Sequence, residues 1–403
     1  MTERHGPLTG VKVIELAHIM AGPVCGLMLA DMGADVIKVE KMPGGDDTRR
    51  SVPPDIDGES AAFMMMNRNK RGIAVNLKDE GGKAVVRRLL RDADVVIENY
   101  RRDTMARLGL AYDVLKESNP GLIYCEISGF GRTGPYADRG GFDLIAQGMS
   151  GLMSITGEGP GRPPVKVGAP VSDITAGILG ALGVVSAHVH KMQTGKGQRV
   201  DTSLFEAAIT HTYWQSAIAF ATGKSPGPMG SAHPLNAPYQ ALRTKDGWVN
   251  VGAANQANWL RLLDALEARS LADDGRFTEN ADRMMHLGEL AEALERYLVA
   301  RTTNEWLVRF EAAGLPAGPV LDIADMHRDP QVLAREMVTT ADHARLGPVR
   351  TIGLPVKFSG TPGGVVMGAP TYGQHTAEVL AECGYGRDEI EVLAASGAIA
   401  LAG

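Results

Sequence analysis

The stretch with the clearest chemical potential is Val167-Gly168-Ala169-Pro170-Val171-Ser172-Asp173-Ile174-Thr175-Ala176-Gly177. An apolar segment with Gly and Pro ends in Ser-Asp, and a small-residue helical pattern then runs from Ile174 to Lys191. Ser172 or Asp173 falls where a helix N-cap belongs, so one reading is a capping residue. The other is a carboxylate offered to a substrate carbonyl, since an Asp can act as a covalent nucleophile and split one difficult acyl transfer into two easier ones. A carboxylate with a reference pKa of about 3.9 is ionised at neutral pH and needs no general base.

The elements before this stretch must position it. Gly10–Leu16 reads as a strand, Ala21-Gly22-Pro23 opens a helix to about Met32, and Val36–Glu40 is a second strand. Strand–helix–strand order implies a parallel sheet with a right-handed crossover, hence an α/β, Rossmann-like large domain. Between first strand and helix stands His18-Ile19-Met20-Ala21-Gly22-Pro23, with no G-x-G-x-x-G, which disfavours a nicotinamide enzyme. A helix around Lys83–Arg91 leads to the strand Asp94–Ile97, which ends in polar residues where open α/β sheets bind their ligands. Basic clusters at Arg49-Arg50 and Arg68–Arg71 lie in loops beside strands and suit a small phosphorylated ligand.

With 403 residues, 22% charged and 44% hydrophobic, the chain reads as an ordinary globular protein with room for two domains. A net charge of −6 and the lack of a basic arm argue against a nucleic-acid partner. Three widely spaced cysteines, Cys25, Cys125 and Cys383, have no metal-ligand spacing and point to a reducing compartment. No metal site is expected. No spanning segment or leader is read, so the expected location is the cytoplasm with no membrane partner.

Several blocks together resemble the class III CoA-transferases (the CaiB/BaiF family), which include formyl-CoA transferase and the carnitine CoA-transferase group. They are Leu16–Pro23, Gly33–Glu40, Asn67–Ile73, Val96–Tyr100, Ser128–Tyr136, the Asp173 stretch, Thr194–Leu204 and Gly373–Thr376. The resemblance implies that Asp173 attacks a donor acyl-CoA, passing through an acyl-aspartyl anhydride and an aspartyl-CoA thioester. CoA or acyl-CoA would be a substrate, with no tightly bound cofactor. Carried over by position, its site would comprise Met20, Ala21, Lys41, Val75, Asn76, Leu77, Lys78, Asn99, Tyr100, Arg101, Arg107, Gly140, Gly141, Phe142 and Asp143. His18 and His233 would meet the substrate. Lys and Arg would pair with CoA phosphates, and Val75 and Leu77 would flank the adenine. The partner acid would be a small carboxylic acid, with a dicarboxylate such as succinate favoured.

The same fold carries the α-methylacyl-CoA racemases, which place a His before the Asp of a Gly-His-Asp motif. Proton removal and return on opposite faces need two acid/base groups, and here the stretch is Gly141-Phe142-Asp143. Transferase is therefore expected over racemase or isomerase, with intramolecular CoA transfer as a further alternative. Phe142 is expected to pack on the pantetheine arm or the acyl group.

In the second half, Ser203–Ala221 reads as one buried apolar helix, and Gly223–Gly230 as a linker. The loop Ser231–Gln240 would cover the active site in the family. It lacks the glycine run of the formate and oxalate enzymes, which argues against those acids. Asp246-Gly247 marks a hairpin, and helical patterns follow over Gln256–Leu266, His286–Arg301 and Thr303–Ala313. The expected layout is a discontinuous large CoA-binding domain, 1–222 with 331–403, and a small α+β domain, 223–330. The family implies an interlocked homodimer. His188, His190, His211 and His375 read as structural.

Overall fold

The computed structural model describes residues 5–402. The chain forms two units: residues up to Ser150 with Gly168–His211 and everything from Pro330 on, and Gly151–Val167 with Thr212–Asp329.

The first unit is built on a seven-stranded sheet of β1 (Lys12–Leu16), β2 (Asp35–Lys41), β3 (Lys70–Val75), β4 (Val95–Glu98), β5 (Ile123–Ser128), β6 (Arg199–Ser203) and β7 (Ile399–Ala400). The order across the sheet is β7-β3-β2-β1-β4-β5-β6. All neighbours are parallel except β7, which runs antiparallel to β3 with Ile399 opposite Val75. β1 lies between β2 and β4, so successive crossovers leave it in opposite directions. Such a switch point opens a crevice at the carboxyl ends of the strands.

Apolar runs such as Val13-Ile14 and Val95-Val96-Ile97 are wholly buried because helices cover both faces. On one side lie α1 (Ala21–Asp31) and α4 (Val171–Thr194), with Cys25, Leu29, Ala181 and Val184 in the core. On the other lie α2 (Glu80–Arg91), α6 (Thr376–Glu382) and α7 (Arg387–Ala395), contributing Val85, Val86, Leu89, Val379 and Ile390. Asp143–Met149 forms α3 and Leu204–Thr210 forms α5.

By length and composition, the 24-residue α4 could cross a membrane, which corrects the expectation that no such segment exists. Here its small residues serve packing. A Cβ on Gly177 would stand 2.7 Å from the carbonyl oxygen of Ala21 and from Val24 Cβ. Only glycine permits that approach of α4 to α1.

The second unit has a three-stranded antiparallel sheet, Ala317–Pro319 beside Trp248–Gly252 beside Tyr239–Arg243. The hairpin turns through Asp246-Gly247, with Thr244 N–H donating to Gly247 O. Helices Gln256–Leu266, Leu287–Leu298 and Thr303–Ala312 pack around Trp259, Phe277, Leu294, Trp306 and Phe310.

Two expectations change. The boundary drawn at 222 is displaced, because 151–167 and 212–222 belong to the second unit; Gly230 N–H, for instance, donates to Gly157 O. The helix expected over Ser203–Ala221 is two helices, α5 and Tyr213–Thr222. The second has no buried residue, and Trp214 and Phe220 are 60% and 89% exposed. Apolar composition implies burial only where another surface comes to cover it.

Candidate active site

The carboxyl end of β1 turns sharply at His18-Ile19-Met20 before α1 begins. Ile19 has φ +67°, a left-handed conformation that a β-branched residue adopts only when its surroundings impose it. Two side chains impose it. Asn99, just past β4, accepts from His18 N–H at 3.0 Å and donates to His18 O at 2.7 Å. Asp46 accepts from Ile19 N–H at 3.1 Å.

Asp46 belongs to a buried charge cluster beneath the turn. Lys38 Nζ lies 2.9 Å from both Glu15 and Asp46, and Lys70 Nζ lies 2.8 Å from Glu15. Lys70 also donates to Pro23 O and Asn67. Two ammonium groups face two carboxylates, which is how buried charges persist. Gly26 makes room: a Cβ there would lie 1.9 Å from Glu15 Oε2. Burial pushes Lys70 down to about 8, helped by neighbouring Lys38 and opposed by Glu15. Lys38 moves the other way: burial would lower it, but Glu15, Asp46 and Glu40 outweigh that. Asp46 is likewise held below the carboxylate range by Lys38, against the effect of its burial.

Asp173 sits in the first turn of α4. The helix starts at Val171, with Pro170 at the N-cap and no side-chain cap bond, so neither Ser172 nor Asp173 is the cap. Proline's fixed φ favours an early start. Asp143, from α3, accepts from Ser172 N–H at 2.9 Å. Asp173 itself has no hydrogen-bond or ion-pair partner among the described residues. Burial, followed by the negative charge of Asp143, raises it to about 6. It precedes Gly177 by one turn on the same face. That places it at the uncapped start of α1, beyond the Gly177–Ala21 contact. At neutral pH it is an ionised, unengaged and unusually basic carboxylate, which suits a nucleophile.

The other residues implied by the resemblance divide into three groups. His18, Met20, Ala21, Asn76, Lys78, Asn99, Tyr100 and Arg101 follow the carboxyl ends of β1 to β4 and Lys41 ends β2, so they share one edge, though several of them are also engaged within the protein. Lys78 and Arg101 are exposed, and Gly140 approaches Arg101. Gly141 packs against Gly129, and Phe142 is 69% exposed. Arg107 is exposed on the short helix Thr104–Arg107 and donates to Thr104.

A second group is already engaged within the protein. Lys41 pairs with Asp47 at 2.7 Å, and Asp47 lies 3.6 Å from His18 Nδ1. The His18 imidazole is pushed down by burial, against the pull of Asp46 and Asp47. Asn99 is spent on the His18 backbone, so its role is to hold the turn. Asp143 likewise holds α4. Tyr100 is clamped through its backbone: its N–H donates to Glu98 at 2.7 Å and its carbonyl accepts from Arg132 at 3.1 Å. Its ring meets His18 edge-on, with centroids 5.6 Å apart, and burial raises the phenol to about 12.

The third group is held by contacts within its own unit. Val75 is wholly buried in the core between β2 and β7, so its side chain cannot flank an adenine. Leu77 packs partly against the same core. Asn76 ties the turn to the C-terminal segment through Gly397 and Ala398. His233 belongs to the second unit, where its ring meets Trp214 and Tyr239. His375 is structural, its Nδ1 accepting from Gly72 N–H at 3.1 Å.

Sequence reasoning missed Glu15, Lys38, Asp46 and Lys70. A signal was present: Glu15, Lys38 and Glu40 interrupt otherwise apolar strands. No grouping of His, Cys, Asp and Glu that could hold a metal occurs among the described residues.

The profile of CoA-transferase family III matches residues 8–376. The succinate–glutarate CoA-transferase of Agrobacterium fabrum is 43% identical over 391 residues, covering 95% of this chain and 97% of that protein. The acetyl-CoA:oxalate CoA-transferase of Acetobacter aceti is 40% identical over 356 residues, covering 88% of this chain and 90% of that protein. Among solved structures, a CaiB/BaiF family protein from Brucella suis superposes with a TM-score of 0.84 at 41% identity, covering 94% of this chain and all of that one.

Proposed function

This chain belongs to CoA-transferase family III, and from that premise we propose that it moves CoA between dicarboxylic acids with Asp173 as covalent nucleophile. The observation that carries the reading is Asp173 itself: unpaired, basic, and set where two helix N-termini meet the carboxyl edge of the sheet.

The Asp173 carboxylate adds to the thioester carbonyl of the donor acyl-CoA. The C–S bond breaks, CoA leaves as thiolate, and an acyl-aspartyl anhydride remains. The thiolate then attacks the aspartyl carbonyl; the C–O bond to the donor acyl group breaks, and the donor acid departs as carboxylate. The acceptor carboxylate attacks the resulting aspartyl-CoA thioester, again expelling thiolate. Finally the thiolate attacks the acceptor's acyl carbonyl, giving the new acyl-CoA and free Asp173. Each step exchanges one activated acyl bond for another, so no step needs an outside energy source. Water is the competitor, and the exposed Phe142 ring beside Asp143 is suited to cover the acyl group once substrate is present.

A dicarboxylate is favoured because one relative is named for succinate and glutarate and the other for oxalate alongside acetyl-CoA, although the lack of a glycine run in Ser231–Gln240 had argued against oxalate. The Gly141-Phe142-Asp143 stretch offers no second proton carrier, which disfavours a racemase. A homodimer is part of the proposal. Ile178, Leu182, Val189 and Met192 form an exposed apolar stripe along α4, at a spacing that keeps them on one face.

The decisive experiment incubates enzyme with succinyl-CoA and hydroxylamine. Mass spectrometry should find the hydroxamate on Asp173, and Asp173→Asn should abolish transfer of CoA to glutarate. Modification elsewhere, or transfer by the Asn variant, would remove the covalent mechanism.

A further inference from the structure

We propose that Asp143 is the positioning residue of the nucleophile: it fixes the first turn of α4 and keeps a negative charge beside Asp173 that makes this carboxylate more reactive. The inference rests on the reading of Asp173 as nucleophile and assigns Asp143 a task apart from holding CoA.

The geometry is specific. Asp143 Oδ1 accepts from Ser172 N–H at 2.9 Å, across 29 positions in sequence. Its other oxygen, Oδ2, accepts from Gln147 Nε2 at 2.7 Å, and Gln147 is wholly buried. Both oxygens are therefore oriented. A helix start exposes N–H groups and a positive dipole end, and a carboxylate is the natural partner for both. Asp143 takes that place from outside α4, where a cap from its own chain segment would ordinarily sit. Asp173, one residue beyond Ser172, is left without a partner and with a like charge next to it.

Among the described residues no other charge offsets this. α1 carries only Asp31, which is bound to Arg68. On α5, Glu206 accepts from Ser203, and His211 just after it bonds to Thr175. On β5 and β6, Glu126 is paired with Arg199, and Asp201 accepts from Arg132 N–H. The charged groups of α4 itself, such as Lys191, which binds Asp94, lie at its far end. His18, past β1, faces Asp47. Burial raises Asp173 most, and Asp143 is the charged group that adds to it.

A more basic carboxylate is a better nucleophile. Each loss of basicity therefore slows attack. The same change extends the ionised form to lower pH. Asp143→Asn is therefore expected to lower the plateau of kcat/KM and to shift its acid limb downwards, two effects that a loss of folded enzyme could not produce together.

The test labels all Asp carboxyl carbons with 13C, assigns the Asp173 signal by its absence in Asp173→Asn, and titrates it in native enzyme, Asp143→Asn and Asp143→Ser. The expected result is a native midpoint well above the usual 3.9, falling in both variants, with the acid limb of succinyl-CoA turnover following it. A native midpoint in the ordinary range overturns the proposal even if neither variant folds. So does an unchanged midpoint in a folded variant, or a midpoint that moves while the acid limb stays. Failure of the nucleophile reading would show separately, as turnover by Asp173→Asn.

Discussion

Asp173 stores free energy in its ionised form. Its pKa is raised in the folded chain and ordinary in the unfolded one, so the folded state binds the proton more tightly. Stability on its account is highest in acid and declines as pH rises from about 4 to about 6. Asp173→Asn removes that penalty, so the inactive variant should be more stable than the native enzyme at pH 8, by about 1–2 kcal/mol. The gap should close near pH 4; urea unfolding at both values checks it, and a gap that widens in acid would contradict the burial of Asp173. Asp46 has the opposite character. Losing it leaves Lys38 and Lys70 with Glu15 alone and releases Ile19 N–H, so Asp46→Ala is expected to cost about 3–5 kcal/mol. At temperatures where the variant stays folded, its KM for acyl-CoA should rise, because the strained turn relaxes; an unchanged KM would detach Asp46 from the site.

Among the elements, the pairing of α1 with α4 brings the two helix starts together, and small residues make it possible. Alanine normally improves a helix interior over glycine by up to about 1 kcal/mol. At Gly177 the added methyl would meet Ala21 O and Val24 at 2.7 Å, a collision with backbone that cannot simply rotate away. Gly177→Ala should therefore destabilise by about 1–3 kcal/mol. It should also reduce kcat, because α4 must move off α1 and carries Asp173 with it. Calorimetry with steady-state assays would show this, and a stabilised, fully active variant would mean that the contact is slack.

At the scale of the whole molecule, the exposed apolar residues of α4 are the outstanding surface feature of the first unit. Leu182 and Met192 are 60% and 67% exposed on a helix that is otherwise part of the core. In a homodimer they would be covered. Leu182→Asp should then shift the protein from dimer to monomer in size-exclusion chromatography with light scattering, with loss of transfer. A native protein that runs as a monomer at micromolar concentration would refute the dimer.

Much of this was legible in the residue order. The β1–α1–β2 succession, the Asp246-Gly247 hairpin and the helix Gln256–Leu266 follow from local periodicity and turn chemistry, which act over a few residues. Asp173 stood out through its motif. Long-range partners were not legible. Nothing local says that Glu15 meets Lys38 and Lys70, that Asn99 grips His18 from 81 positions away, or that Asp143 holds the start of α4. Nor does the run Val75-Asn76-Leu77-Lys78 reveal that Val75 is sealed by a strand from the far C-terminus. A side chain's type limits the partners it can accept, but burial and charge pairing depend on which distant segments the folded sheet brings alongside it.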